Sequence, residues 1–70
     1  MTTEQINNIF TYHAPTEEQR LRYAELRNSA KILADLINEL CPESKEKAIS
    51  FTNLQQSVMW ANAAIAINTP

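Results

Sequence analysis

The chain of 70 residues lacks glycine entirely and has one cysteine and three prolines. Without glycine it cannot contain a phosphate-binding glycine loop or a dinucleotide-binding turn, because both need backbone conformations that only glycine adopts at low cost. One cysteine cannot form an internal disulfide, so the class of small disulfide-stabilised domains is excluded as well. At this length we expect a single domain over residues 1–70, with a marginal core unless something else stabilises it.

Basic residues are outnumbered by acidic ones, and long apolar runs are missing. Six Lys and Arg against eight Asp and Glu give a formal charge of −2 and an isoelectric point near 5.2. A binder of polymeric DNA or RNA usually has a basic face, so this balance disfavours that function. No apolar run reaches the roughly 18 residues of a membrane span, and the N-terminus lacks the regions of a signal peptide. We expect a small cytoplasmic protein without a membrane partner.

Helix-capping signals divide the chain into three predicted helices. Thr2 with Gln5, and Thr16 with Gln19, each have the spacing of a capping box. Along both long helices, apolar residues recur at alternating steps of three and four, which is typical of a helix that packs against another helix. Pro42 ends the second helix and is tolerated in the first turn of the third. The predicted helices cover about residues 3–9, 17–40 and 43–67.

The fold class that follows is all-α. A turn as short as Cys41–Pro42 makes the two long helices antiparallel neighbours, so a short N-terminal helix precedes a long antiparallel helical hairpin. Each helix of a hairpin covers only one side of the other, yet residues 59–67 are apolar almost all round. We therefore expect a homo-oligomer in which other copies cover this run. The predicted interface comprises Met59, Trp60, Ala63 and Ala64.

Residues with catalytic or metal-binding chemistry are rare and scattered. The one His, one Asp and one Cys of the chain are His13, Asp35 and Cys41, on a loop, in mid-helix and at a helix junction. A nucleophile with its base and orienting group needs them adjacent, and no ligands stand at the paired spacing of a metal site. We expect no enzyme activity, no metal and no cofactor, and a structural role for Cys41.

Three cations follow one line on the second predicted helix. Arg20, Arg27 and Lys31 are separated by seven and four residues. At about 100° per residue they project within roughly 20° of a common direction. In one interpretation this is a solvated face that acidic residues one turn away neutralise. In the other it is an anion site, since Arg and Lys in line can hold phosphate oxygens.

An aromatic segment precedes that helix. Phe10, Tyr12 and His13 lie before Pro15, which disfavours helical geometry at the preceding residue, so residues 10–15 are predicted to be extended. Phe10 has the alternative role of packing the first helix on the hairpin, and His13 that of donating a hydrogen bond that fixes the loop. Aromatic rings beside cations are typical of a nucleotide-binding site, because the rings stack on bases while the cations bind phosphates. A twofold oligomer duplicates both groups, and a cyclic dinucleotide would fit the shared pocket.

Four stretches of the sequence are distinctive together: Phe10 to Pro15, Gln19 to Arg27, Cys41 to Lys47 and Val58 to Ala66. They resemble the helical hairpin domain of the phage anti-CBASS and anti-Thoeris signal-sponge proteins, over roughly positions 8 to 68, and VMWANAAIA at the last stretch is the most specific part. Members of this family are not enzymes. They hold cyclic oligonucleotide or cyclic ADP-ribose-like messengers of bacterial immunity intact, as compact hexamers. The resemblance implies such sequestration in the cytoplasm of the infected bacterial host.

The resemblance also implies roles for single residues. A tyrosine in the N-terminal loop stacks on a base of a cyclic dinucleotide of the cyclic GMP-AMP type, and a basic residue fifteen positions later contacts phosphate. Tyr12 and Arg27 stand at that spacing. Some members hold cyclic trinucleotides with an arginine near the end of the last helix, where this chain has Ile67, which weakens the expectation of a trinucleotide site. The candidate ligand-binding residues are Tyr12, Arg27, Phe10, His13, Lys31 and Arg20.

A rival interpretation is a small helical adaptor or antirepressor that binds a protein partner through Met59 and Trp60. It accounts for the apolar run at residues 59–67 as well as oligomerisation does. It leaves the aromatic segment and the cation row without a role. The response of the protein to cyclic nucleotides separates the two interpretations.

Overall fold

The computed structural model describes all 70 residues. It contains three helices and no strand. They are α1 Thr3–Phe10, α2 Glu17–Leu40 and α3 Lys45–Asn68. The predicted all-α class is confirmed. Both predicted capping boxes are formed: the Thr2 hydroxyl accepts from the Gln5 amide at 3.0 Å, and the Thr16 hydroxyl accepts from the Gln19 amide at 3.1 Å. Each box satisfies amide groups that a helix start would otherwise leave unpaired.

Three helix ends differ from the predicted ones, and local hydrogen bonds explain two of them. The third is the end of α3, which lies at Asn68, one residue later than predicted. Phe10 belongs to the last turn of α1 rather than to the extended segment, and the Thr11 hydroxyl closes that helix by donating to the carbonyl of Asn7. Helix α3 begins at Lys45 because the Ser44 hydroxyl, which accepts from the Lys47 amide at 3.1 Å, is its N-cap. Pro42 therefore lies in the turn before α3 and not in its first helical turn.

Helices α2 and α3 form an antiparallel pair that is joined by side chains at both ends. At the start of α2, Gln19 Nε2 donates to Thr69 Oγ1 at 2.7 Å, just beyond the end of α3. At the other end, Lys47 Nζ donates to the carbonyl of Asn38 at 3.2 Å and to Glu43 Oε1 at 2.6 Å. Gln19 and Lys47 are 5% and 7% exposed, and they are the only buried residues of the chain. Polar bonds thus fix the register of the hairpin.

Replacing Lys47 with methionine is expected to lower the free energy of unfolding by about 1–3 kcal/mol. Methionine keeps most of the buried alkyl chain but removes both hydrogen bonds, and the last turn of α2 has no basic residue of its own to interact with its carbonyls. Urea unfolding at a fixed protein concentration measures the change. The matched control is Lys45→Met, which removes an exposed lysine without side-chain hydrogen bonds. Equal stability of the two variants would contradict this role.

A single hairpin leaves its apolar side chains largely uncovered. No apolar residue is buried, and the chain exposes 5790 Å², whereas a monomeric globular protein of 8.0 kDa exposes about 4,450 Å². The radius of gyration is 15.4 Å, against about 11 Å for a compact domain of 70 residues. The excess of roughly 1,300 Å² is comparable to what one subunit contributes to a large protein interface.

No helix combines the length and the apolar character that crossing a membrane requires.

Candidate functional site

A groove of about 440 Å³ runs between α2 and α3 near the middle of the hairpin. Its apolar floor comes mainly from α3, and its two cations, Arg27 and Lys31, come from α2. This volume lies within the range of about 300–1,000 Å³ that is usual for small-molecule sites. The apolar residues that line it are Ala30, Ala34, Phe51, Leu54, Val58 and Met59. The groove therefore offers an apolar surface beside positive charge, which suits a ligand with a ring and a phosphate.

The cations of this groove have no acidic partner. The chain forms two ion pairs, Arg22 with Glu18 at 2.7 Å and Lys47 with Glu43 at 2.6 Å. Neither pair includes Arg27 or Lys31. Asp35 lies one turn from Lys31 on the same helix without pairing with it, and no acidic residue lies one turn from Arg27. Within the single chain, therefore, no ion pair neutralises the cation row at Arg27 and Lys31. A phosphate would meet charges that are available for charge-assisted hydrogen bonds.

The aromatic segment lies at the opposite end of α2 from the turn of the hairpin. Tyr12 and Phe10 are 85% and 81% exposed, so Phe10 does not pack α1 against the hairpin, contrary to that alternative. Asn8 makes the contact instead: its Nδ2 donates to the carbonyl of Ile67 at 3.2 Å. His13 is partly buried, and its Nε2 lies 2.7 Å from the carbonyl oxygen of Asn8. Two rings are thus open to a ligand, while the imidazole is engaged within the loop.

One chain does not bring the predicted binding residues together. Arg27 lies ten residues beyond the first residue of α2, which is about 15 Å along the helix axis. Tyr12 precedes that helix and lines no cavity of the single chain, and Arg20 lies outside the groove as well. Arg27 and Lys31 therefore share one site, whereas Phe10, Tyr12 and His13 form a second cluster. Tyr12 and Arg27 can therefore share one ligand only if a second copy of the chain supplies one of them.

The predicted interface residues form an open surface beside the groove. Trp60 and Met59 are 74% and 61% exposed, and Met59 also lines the groove. Ala64 is exposed and Ala63 is half-buried. Large apolar side chains in this position are typical of a protein contact surface. Because Met59 belongs to both features, a copy that covers this surface would also approach the groove.

The roles of three polar residues that join the ends of the helices are not evident from the sequence. Asn8 and Gln19 each bond to a residue at the end of α3, which is distant along the chain. Lys47 bonds across the hairpin turn. The sequence identifies Gln19 only as a capping residue, and it does not distinguish Asn8 from Asn7. Cys41 is exposed and unpaired, and no cluster of His, Cys, Asp and Glu side chains could hold a metal ion.

The fold and the groove define a helical hairpin domain with an open cationic site. In a scan against protein families, residues 2–66 match the family described as Acb2/Tad1, hairpin domain. The chain belongs to this family, the anti-CBASS and anti-Thoeris sponge family, so the resemblance seen in the sequence is confirmed. The family binds cyclic nucleotide messengers, and its hairpin domain is of a binding rather than a catalytic type. Comparisons with curated proteins and with solved structures gave no match.

Proposed function

We propose that this protein binds cyclic dinucleotides of the cyclic GMP-AMP type and sequesters them without cleavage, so that they do not reach the effectors of bacterial CBASS defence. It would act in the cytoplasm of a phage-infected bacterium. The observation that carries the proposal is that Arg27 and Lys31 line an apolar groove and form no ion pair, in a chain of the sponge family.

The ligand is bound between two copies of the chain. Arg27 contacts a phosphate and Lys31 adds charge beside it, while Tyr12 of the second copy stacks on a base. Phe10 and Arg20 lie at the outer edge of this pocket. A cyclic dinucleotide has two bases and two phosphates in nearly twofold arrangement, so a twofold pocket presents the same contacts to each half. The separation of Tyr12 from Arg27 within one chain supports this arrangement.

A homo-oligomer, with six copies as in the family resemblance, supplies the second chain. The exposed area of 5790 Å² and the open surface around Trp60 support self-association. Sequestration also needs tight binding, since competition with a nanomolar receptor requires about −12 kcal/mol. Two stacked bases at about 1–3 kcal/mol each and several charge-assisted hydrogen bonds at about 1.5–3 kcal/mol each make this affinity attainable in a preformed pocket.

A thermal-shift screen followed by recovery of the ligand tests the proposal. At a cyclic GMP-AMP concentration 100-fold above the dissociation constant, stabilisation is about 2.7 kcal/mol, which raises Tm by about 10 °C or more for a domain of this size. After heat denaturation, chromatography should return the dinucleotide unchanged. Linear products would identify an enzyme, and no response to any cyclic nucleotide would remove the sponge function.

The same screen addresses two further ligand classes. The last turn of α3 contains no basic residue, and Ile67 occupies the position where other members carry arginine. We therefore expect cyclic trinucleotides to produce a smaller shift in Tm than cyclic dinucleotides. Cyclic ADP-ribose-like messengers have one base and a diphosphate, and they would use only part of a twofold pocket.

The exposed Met59 and Trp60 favour one alternative function, that of an adaptor or antirepressor with a protein partner. In that case the surface is covered by a different protein, and cyclic nucleotides leave Tm unchanged. The family assignment and the unpaired cations weigh against it, because neither is needed for an apolar protein contact.

A further inference from the structure

Two hydrogen bonds tie the residues on either side of Tyr12 to α1, and a third ties α1 to the end of α3. Asn8 Nδ2 donates to the carbonyl of Ile67 at 3.2 Å, and His13 Nε2 donates to the carbonyl of Asn8 at 2.7 Å. The Thr11 hydroxyl donates to the carbonyl of Asn7. A carbonyl only accepts, so the proton of the bonded imidazole nitrogen is on Nε2. The bond from Asn8 is the one hydrogen bond between α1 and the hairpin.

This connection begins at a fixed point of the hairpin. Ile67 lies in the last turn of α3, where the final carbonyls have no partner within the helix. Asn8 supplies the missing donor from another element, and the carbonyl of the same residue then holds the imidazole of His13. Tyr12 lies between Thr11 and His13, both of which are tied back to α1, while its own side chain stays 85% exposed.

We propose that Asn8 and His13 are positioning residues, which hold Tyr12 in the orientation used for stacking on a base without touching the ligand themselves. The inference rests on the proposed function. Ordering a mobile loop during binding lowers affinity, and a loop that is already ordered avoids that loss. His13 was a candidate ligand-binding residue, but its Nε2 is already occupied by the Asn8 carbonyl. The structure therefore assigns it to the loop.

Variants that separate the donor from the ring test this role by calorimetric titration with cyclic GMP-AMP. His13→Phe keeps a planar ring but loses the donor, and we expect affinity to fall about tenfold because the loop must then be ordered on binding. His13→Gln places an amide N–H near the position of Nε2 and should stay within about twofold of the original chain. Asn8→Asp removes the donor to Ile67 and should also weaken binding about tenfold, whereas Asn7→Asp, which adds the same charge one residue away, should not.

A double-mutant cycle with Tyr12→Ala distinguishes positioning from ligand contact. If His13 acts through Tyr12, His13→Phe should change affinity by less than about twofold once Tyr12 is alanine. A tenfold loss that persists in the Tyr12→Ala background would mean that His13 contacts the ligand directly, and the proposal would be overturned. Unchanged affinity of both His13→Phe and Asn8→Asp would overturn it as well.

A measurement made without ligand tests the positioning role of His13 independently of the proposed function. Amide relaxation of residues 11–14 should show order parameters near 0.85 in the original chain, falling below about 0.6 in His13→Phe. An equally ordered loop in both proteins would show that the hydrogen bond does not position Tyr12. If the original chain binds no cyclic dinucleotide but its loop loses order on substitution, the proposed function fails while the positioning role of His13 stands.

Discussion

Replacing Arg27 with alanine is expected to weaken cyclic GMP-AMP binding by about 100-fold or more. A hydrogen bond to a charged group contributes about 1.5–3 kcal/mol, which corresponds to a factor of about 10 to 150. A pocket between two copies loses both guanidinium groups at once, so the two losses combine in one site. Arg27 forms no ion pair in the free chain, and its removal leaves no uncompensated carboxylate behind. Calorimetric titration at a fixed salt concentration measures the effect.

Two control variants identify the cause of the Arg27→Ala effect. Lys45→Ala removes the same charge from the start of α3, outside the groove, and should bind as the original chain does. Arg27→Lys keeps the charge but loses the planar, two-pronged donor, so it should give an intermediate affinity. Equal affinity of Arg27→Ala and Lys45→Ala would show that the groove between α2 and α3 is not the phosphate site.

Replacing Trp60 with glutamate is expected to dissociate the homo-oligomer. Trp60 is 74% exposed in the single chain, and burial of a tryptophan side chain of 150–250 Å² stabilises a contact by up to about 4–6 kcal/mol. Glutamate removes that contribution and places a charge where it loses water without gaining a partner. Sedimentation analysis at micromolar protein should therefore show a mass well below that of the original assembly, towards the 8.0 kDa of one chain.

The matched control for Trp60→Glu adds the same charge elsewhere. Asn28 is an exposed polar residue of α2, and Asn28→Glu should sediment as the original chain does. A ligand pocket between copies requires the assembly, so Trp60→Glu should also lose cyclic GMP-AMP binding although it leaves Arg27 and Tyr12 intact. An original chain that sediments as a monomer, or a Trp60→Glu variant that still assembles, would contradict the shared pocket.

The helices could be predicted because the signals that start them are local. Thr2 and Thr16 each accept a hydrogen bond from an amide three residues later, whatever the rest of the chain does. The start of α3 was predicted at residue 43 because Pro42 is tolerated in a first helical turn, whereas Ser44 is also compatible with a helix start. The hydrogen bond from the Lys47 amide to the Ser44 hydroxyl decides between them, and it too spans only three residues.

The site was predicted only in part. Residue spacing along a helix determines the direction in which each side chain projects, but not which residues of other helices lie beside it. Arg20, Arg27 and Lys31 do project to one side of α2. Only Arg27 and Lys31 lie beside the apolar residues of α3, so Arg20 falls outside the groove. Phe10 was expected either to pack or to bind, and its position in the last turn of α1 leaves it exposed.

The sequence by itself determined three helices, the row of cations, the need for cover over residues 59–67 and, through its resemblance, the family. Each depends on residues that are close along the chain or on a pattern that any helix would display. Only the tertiary structure decided that Asn8, Gln19 and Lys47 hold the ends of the helices together. Asn8 and Gln19 bond to residues 59 and 50 positions away. Such bonds depend on how α1, α2 and α3 are placed against one another, which local spacing does not specify.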